Sequence, residues 1–258
     1  MIYAGMDIGS RTIKTALFDT KSQTMIACKL RDQGLDQQNL TRKLYAQTLN
    51  ETGLDGSAIA RSVATGYGRS AIDFADTTVT EITCHSAGVL HLHPDARTII
   101  DIGGEDSKVI RLDDRGKVQD FVMNDRCAAG TGRFLEIVAQ RLEGDLHSVA
   151  HAAEHCGRPV AISSMCVVFA ETEIIGLLAS GTPIQDIMAG VQKAIASRIV
   201  GMVGRQARPP FYFTGGVSLV PGMAQVLSSA LGHGITVSQN AQFTGALGAA
   251  IMASRQAA

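Results

Sequence analysis

Two cysteines stand in settings that suit metal chemistry. Cys127 lies within Asn124-Asp-Arg-Cys-Ala-Ala-Gly-Thr-Gly132, and Cys166 closes Ser163-Ser-Met-Cys166. Each sits just ahead of a segment with helical spacing, and a helix N-terminus stabilises nearby negative charge. Gly130, Thr131 and Gly132 follow the first cysteine as a phosphate-type turn. Two thiolates are half of the four that an iron–sulfur cluster takes, and half of a four-cysteine zinc site. An isologous dimer places the same two side chains on both sides of its axis and would complete either set. Cys28, Cys84 and Cys156 read instead as small buried hydrophobes. Cys84-His85 falls on an apolar helical pattern and reads as packing, and His91-x-His93 as a surface pair at a helix end. Five cysteines without a CxxC pair argue against a disulfide framework.

A second chemistry is phosphate binding. Asp7-Ile-Gly9-Ser10-Arg11-Thr12-Ile-Lys14 and Asp101-Ile-Gly103-Gly104-Glu-Asp106 each follow an apolar run. Glycine after a strand lets turn amides approach phosphate oxygens closely. The strand-end carboxylates of Asp7 and Asp101 suit water in the shell of Mg2+, which keeps several waters and few protein ligands. Ser10 adds a hydroxyl and Lys14 a charge. Thr214-Gly215-Gly216 forms a third such turn after the apolar Pro210-Phe-Tyr-Phe.

These turns need strands and helices to hold them. The N-terminal pattern predicts strands over 2–8, 13–18 and 24–28, a helix over 39–52, a strand over 62–65 and a helix over 80–91. The pattern then restarts with strands over 97–102, 107–112 and 118–123, so that Asp101 follows Asp7 by 94 residues in an equivalent place. Helices are predicted over 134–142, 167–179 and 183–204, a strand over 210–214, and a small-residue helix over 244–255. The opening is a β-meander, which excludes a Rossmann strand–helix unit.

Composition narrows the function. The 258 residues are enough for two cores, and a formal net charge of −1 leaves no electrostatic case for nucleic acid or an anionic membrane. The start lacks a basic, then apolar, signal pattern, and no run of about 18 apolar residues is present. The expected location is cytoplasmic.

The three turns resemble the phosphate 1, phosphate 2 and adenosine motifs of the actin, Hsp70 and sugar-kinase superfamily. That resemblance covers nearly the whole chain. It implies an α/β protein of two RNase H-like lobes with ATP in the interlobe cleft. The first lobe would take residues 1–94 plus 244–258, and the second 95–243 with both cysteines. Within the superfamily, Asp125-Arg-Cys-Ala-Ala-Gly-Thr-Gly-Arg-Phe-Leu135, Ser163-Ser-Met-Cys166 with Phe169-Ala-Glu171, and Thr65-Gly-Tyr-Gly-Arg69 are similar to the activator component of 2-hydroxyacyl-CoA dehydratases. The ATPase subunits of benzoyl-CoA reductase belong to the same branch.

The resemblance implies a homodimer with one [4Fe–4S] cluster on its axis, held by Cys127 and Cys166 of each subunit. It further implies ATP hydrolysis to ADP with Mg2+, a ferredoxin or flavodoxin as reductant, and one electron passed to a dehydratase-like partner. Oxygen sensitivity is expected of a cluster between two chains. Asp7 and Asp101 would place Mg2+ and the attacking water, with Glu105, Asp106 and Glu171 as further carboxylates in question. The chain departs from the branch after Gly216, where Val217-Ser-Leu-Val-Pro-Gly222 replaces a Val-Ala-x-Asn-like continuation. A small-molecule kinase of the same superfamily and a nucleotide sensor without redox chemistry remain as alternatives.

Overall fold

The computed structural model describes residues 1–163 and 166–256. The two residues between Ser163 and Cys166 in the second cysteine motif, and the last two of the chain, lie outside them. In chain order the elements are strands β1 Ile2–Ile8, β2 Thr12–Asp19 and β3 Thr24–Asp32, helix α1 Gln37–Glu51, strands β4 Ile59–Thr65 and β5 Thr77–Thr78, and helix α2 Glu81–Leu92. Strands β6 Thr98–Ile102, β7 Ser107–Leu112 and β8 Val118–Asn124 follow, then helices α3 Gly132–Arg141, α4 Leu146–Ala153, α5 Val167–Ala179 and α6 Ile184–Val203. Strand β9 Phe211–Thr214, helix α7 Met223–Leu231, strand β10 Ile235–Val237 and helix α8 Thr244–Arg255 complete the chain.

The chain divides into two compact units. Unit 1 comprises Met1–Asp95, Asp114–Val118 and Gln242–Ala258, and unit 2 comprises Ala96–Asp113 and Gln119–Ala241. Each is built on one mixed sheet, ordered β3-β2-β1-β4-β5 in the first and β10-β9-β6-β7-β8 in the second. The orders are the same once β6 is matched to β1. In both, the first two strands run antiparallel and the first and fourth run parallel. This is the RNase H-like topology, present twice, as the restarted pattern predicts.

The central strands are apolar on both faces because helices cover them. All of β6 is buried, and β1 is buried from Tyr3 onward. In unit 1, α8 lies close against α2 through small residues: a Cβ on Gly248 would stand 1.7 Å from the Cys84 carbonyl oxygen. Phe18, Leu247, Ala250 and Ile251 pack beside this contact. In unit 2, Ile100, Ile102, Phe213 and Leu135 share one core with Ile187, Val191 and Ile195 of α6.

Sequence sets the helix ends. Asp36 accepts from the Asn39 amide at 3.0 Å to cap α1, and Asp145 accepts from the Ser148 amide at 3.0 Å to cap α4. Pro183 precedes α6, and Gly222 and Gly232, both left-handed, bracket α7. The sequence reading leaves α4, α7, β5 and β10 unassigned.

Candidate functional site

The second strand of each sheet returns a lysine to the aspartate of the first. In unit 1, Lys14 is the register partner of Asp7, and its Nζ lies 3.5 Å from Asp7 Oδ2. In unit 2, Lys108 is the partner of Asp101, with Nζ 3.5 Å from Asp101 Oδ2. The fourth strand brings a threonine to the other side, since Asp7 pairs with Thr65 and Asp101 with Thr214. Thr214 Oγ1 donates to Asp101 Oδ1 at 2.8 Å. Both threonines are followed by a glycine with positive φ, Gly66 at 89° and Gly215 at 84°. A Cβ on Gly215 would stand 2.3 Å from the Ile102 carbonyl oxygen, so the chain can turn this tightly against β6 only with glycine there. Sequence reasoning missed Lys108, and it singled out Thr65-Gly66 as part of a family motif without matching it to Thr214-Gly215. The signal was present, because Asp-x6-Lys recurs with the Asp-x-Gly repeat.

The two turns share one backbone form. The Gly9 amide donates to the Thr12 carbonyl oxygen at 3.1 Å, and the Gly103 amide to that of Asp106 at 2.9 Å. Those two glycine amides therefore close their own turns. A phosphate would meet the turn through the residues between them, Ser10 and Arg11 in one unit and Gly104 and Glu105 in the other. Lys14 Nζ would lie 3.3 Å from a Cβ on Gly9, which places the ammonium over the first turn. Asp7 and Asp101 are both buried. Each already has a lysine beside it, so Mg2+ suits them better through bound water than by direct ligation.

The Gly130-Thr131-Gly132 turn packs on the second Asp-x-Gly turn. The Gly132 amide donates to the Gly103 carbonyl oxygen at 2.9 Å and the Arg133 amide to that of Gly104 at 2.7 Å. Ser107 Oγ donates to the Gly130 carbonyl oxygen at 2.5 Å. The first two amides of α3 are thereby occupied and are not open to an anion, which corrects the expectation drawn from the helix N-terminus for that end. Val217, just past Gly215 and Gly216, meets the same place: its Cγ2 would lie 3.2 Å from a Cβ on Gly132. The three glycine turns of unit 2 thus converge on one point.

Cys127 is half-buried in the loop entering α3, with its carbonyl oxygen accepting from Asn124 Nδ2 at 2.8 Å. Cys166 is exposed and is the N-cap residue of α5, its carbonyl oxygen accepting from the Ala170 amide at 2.9 Å. Helices α3 and α5 are joined by Arg141, whose Nη2 donates to Glu171 Oε2 at 2.8 Å. That pairing commits Glu171 to the helix contact. Beyond Cys166, α5 presents Val168, Phe169 and Ile175 to solvent, Val168 at 70% and Phe169 at 69% exposure. Among the described residues, no group of three or more His, Cys, Asp or Glu side chains is placed to hold a metal ion within one chain. No helix there is long and apolar enough to cross a membrane.

Residues 4–253 match the BadF/BadG/BcrA/BcrD ATPase family. The chain is 41% identical to the activator of lactoyl-CoA dehydratase from Anaerotignum propionicum, over 98% of this chain and 97% of that one. The solved structure of the activator of 2-hydroxyisocaproyl-CoA dehydratase from Clostridium difficile, with bound ADPNP, superposes with a TM-score of 0.94 at 36% identity, covering 100% of this chain and 96% of that one. A ROK family glucokinase from Streptomyces griseus, with glucose and AMPPNP, gives a TM-score of 0.61 at 14% identity over 99% and 100% of the two chains. That likeness shows the shared ATPase fold alone.

Proposed function

The chain belongs to the BadF/BadG/BcrA/BcrD ATPase family, and on that premise we propose that it is an ATP-hydrolysing homodimeric activator that passes one electron to a 2-hydroxyacyl-CoA dehydratase-like partner. The observation that carries this reading is the joining of a phosphate-type turn to a cysteine loop: Gly103 and Gly104 hold the start of α3, five residues beyond Cys127.

The turns of each unit are proposed to bind phosphate. Lys14, Ser10 and the turn amides neutralise phosphate charge, which grows on the terminal oxygens as the bond breaks. Asp7 and Asp101, each in its own unit, are the carboxylates that would hold Mg2+ through bound water. Gly215 and Gly216, followed by Val217, are proposed to lie against the nucleoside.

Cys127 and Cys166 suit a [4Fe–4S] cluster in donor chemistry, and two copies of the chain supply the four thiolates. The exposed apolar residues of α5 begin at Cys166, and an apolar face of that kind marks an interface. A second copy on that face brings the two thiolate pairs together. When bound there, the cluster would take up one electron from a ferredoxin or flavodoxin and release it to the partner. The protein's own part is to bind ATP, to move the Gly103–Gly104 turn, and so to shift α3 and the loop carrying Cys127. ATP drives this only through unequal affinity for two arrangements.

Iron and acid-labile sulfide analysis of anaerobically purified protein tests the proposal. About four iron and four sulfide per dimer, lost in Cys127→Ser and in Cys166→Ser with ATP binding kept, is the expected result. Stoichiometric zinc, or full iron in either variant, would overturn the cluster assignment.

A further inference from the structure

The two Asp-x-Gly turns match in backbone and differ in charge. In unit 1 the turn reads Ser10-Arg11-Thr12, and Asp7 is the carboxylate beside Lys14. In unit 2 it reads Gly104-Glu105-Asp106, and Lys108 Nζ lies 2.5 Å from Asp106 Oδ2 as well as 3.5 Å from Asp101 Oδ2. The Asp106 carboxylate is also seated on the turn itself, since a Cβ on Gly103 would lie 2.6 Å from its Oδ1. A carboxylate thus rests on a glycine turn and on a buried ammonium. Those are the two partners a phosphoryl group takes at such a turn.

We infer that Lys108 is a second phosphate-binding lysine, the counterpart of Lys14, and that the Asp106 carboxylate occupies it until the terminal phosphoryl group of a nucleoside triphosphate displaces it. The inference rests on the ATPase reading above. A buried ammonium is costly without an anion, so Lys108 needs one in both states. The side chain of Lys108 is 3% exposed and that of Asp101 3%, whereas that of Asp106 is 26% exposed. Asp106 is therefore the member of the trio with solvent to move into. A terminal phosphoryl group carries more negative charge than a carboxylate and three acceptor oxygens, so it wins the exchange. A diphosphate lacks that group and leaves the pair closed. Asp106 also supplies the carbonyl oxygen that closes the turn, so its release bears on the Gly103–Gly104 segment that holds α3.

Calorimetric titration of the purified protein with ADPNP and with ADP, both with Mg2+, tests the inference. Asp106→Asn keeps the side-chain shape and the turn carbonyl while removing the competing charge. Its expected effect is an ADPNP Kd about tenfold tighter with the ADP Kd unchanged. In a Lys108→Met background the same substitution should change neither Kd. Should Lys108→Met not fold, the Asp106→Asn ratio decides alone. Wild-type protein that binds neither nucleotide would overturn the ATPase reading itself. Wild-type protein that binds both, with an ADPNP-to-ADP ratio moved less than about twofold by Asp106→Asn, would overturn this inference alone.

Discussion

The amide of Gly132 donates to the carbonyl oxygen of Gly103 at 2.9 Å. One bond therefore joins the first residue of a helix that follows a cysteine to the glycine of a strand-end phosphate-type turn. The Arg133–Gly104 bond at 2.7 Å and the Ser107–Gly130 bond at 2.5 Å run beside it. Three contacts of this kind make a stiff joint, because a helix N-terminus buried on a turn cannot shift without breaking backbone hydrogen bonds.

Ser107→Ala removes the one side-chain contact of that joint without touching the turn glycines. We expect ADPNP affinity within about twofold of wild type, because the Ser107 hydroxyl points to Gly130 rather than to solvent. The change in Cys127 alkylation rate on adding ADPNP, read by peptide mass spectrometry on cluster-free protein, should shrink or vanish. An unchanged nucleotide response in the variant would show that the joint does not carry the coupling.

Lys14→Met separates catalysis from packing. Removing the ammonium takes a charge from the phosphate site, and kcat for ATP should fall about 100-fold. It also leaves the Asp7 carboxylate, 7% exposed, without its partner, at a cost of about 3 kcal/mol. The double variant Asp7→Asn with Lys14→Met should regain most of the lost stability in urea unfolding and none of the turnover. Recovery of turnover in the double variant would assign Lys14 a structural task only.

Gly248→Ala should destabilise unit 1 by about 3 kcal/mol, since the added Cβ would stand 1.7 Å from the Cys84 carbonyl oxygen and 2.9 Å from the Gly88 nitrogen, both of them backbone. Gly201→Ala is the control. It lies in α6 with nothing within 4 Å of the added Cβ, so helix propensity alone should stabilise it by about 0.5 kcal/mol. Equal urea midpoints for the two variants would contradict the close α2–α8 contact.

The duplicated sheet was legible because its punctuation is short-range. Asp7-x-Gly9 and Asp101-x-Gly103 each end an apolar run, and the meander after each is fixed by turn residues. Helices α5 and α6 showed through their length and their flanking glycine or proline, and α8 through its run of small residues. Strands β5 and β10, with two and three residues, are too short to carry a period, and their places come from pairing with β4 and β9. Lys108 was hidden for another reason. A lysine in a returning strand reads as solvent-facing, so the recurrence of Asp-x6-Lys gains its meaning from the register that sets Lys108 against Asp101. The use of the α3 amides was illegible too, because the partners Gly103 and Gly104 lie about 30 residues away in sequence.

Cys84 sets an alkaline limit on stability. Burial pushes its thiol up to about 12, against the opposing hydroxyl of Thr65 and with the Asp7 charge adding to the rise. A folded-state value above the unfolded one, 9.0, means that the folded chain keeps a proton the unfolded chain gives up. The contribution is therefore full below pH 9 and is lost as pH rises toward 12, with a slope of about 1.4 kcal/mol per pH unit. Urea unfolding between pH 9 and pH 11 should show stability falling in wild type and falling less steeply in Cys84→Ala. The same burial should keep Cys84 unreactive to iodoacetamide at pH 8 while the exposed Cys166 labels. Parallel stability curves for the two proteins would place the alkaline loss in another group.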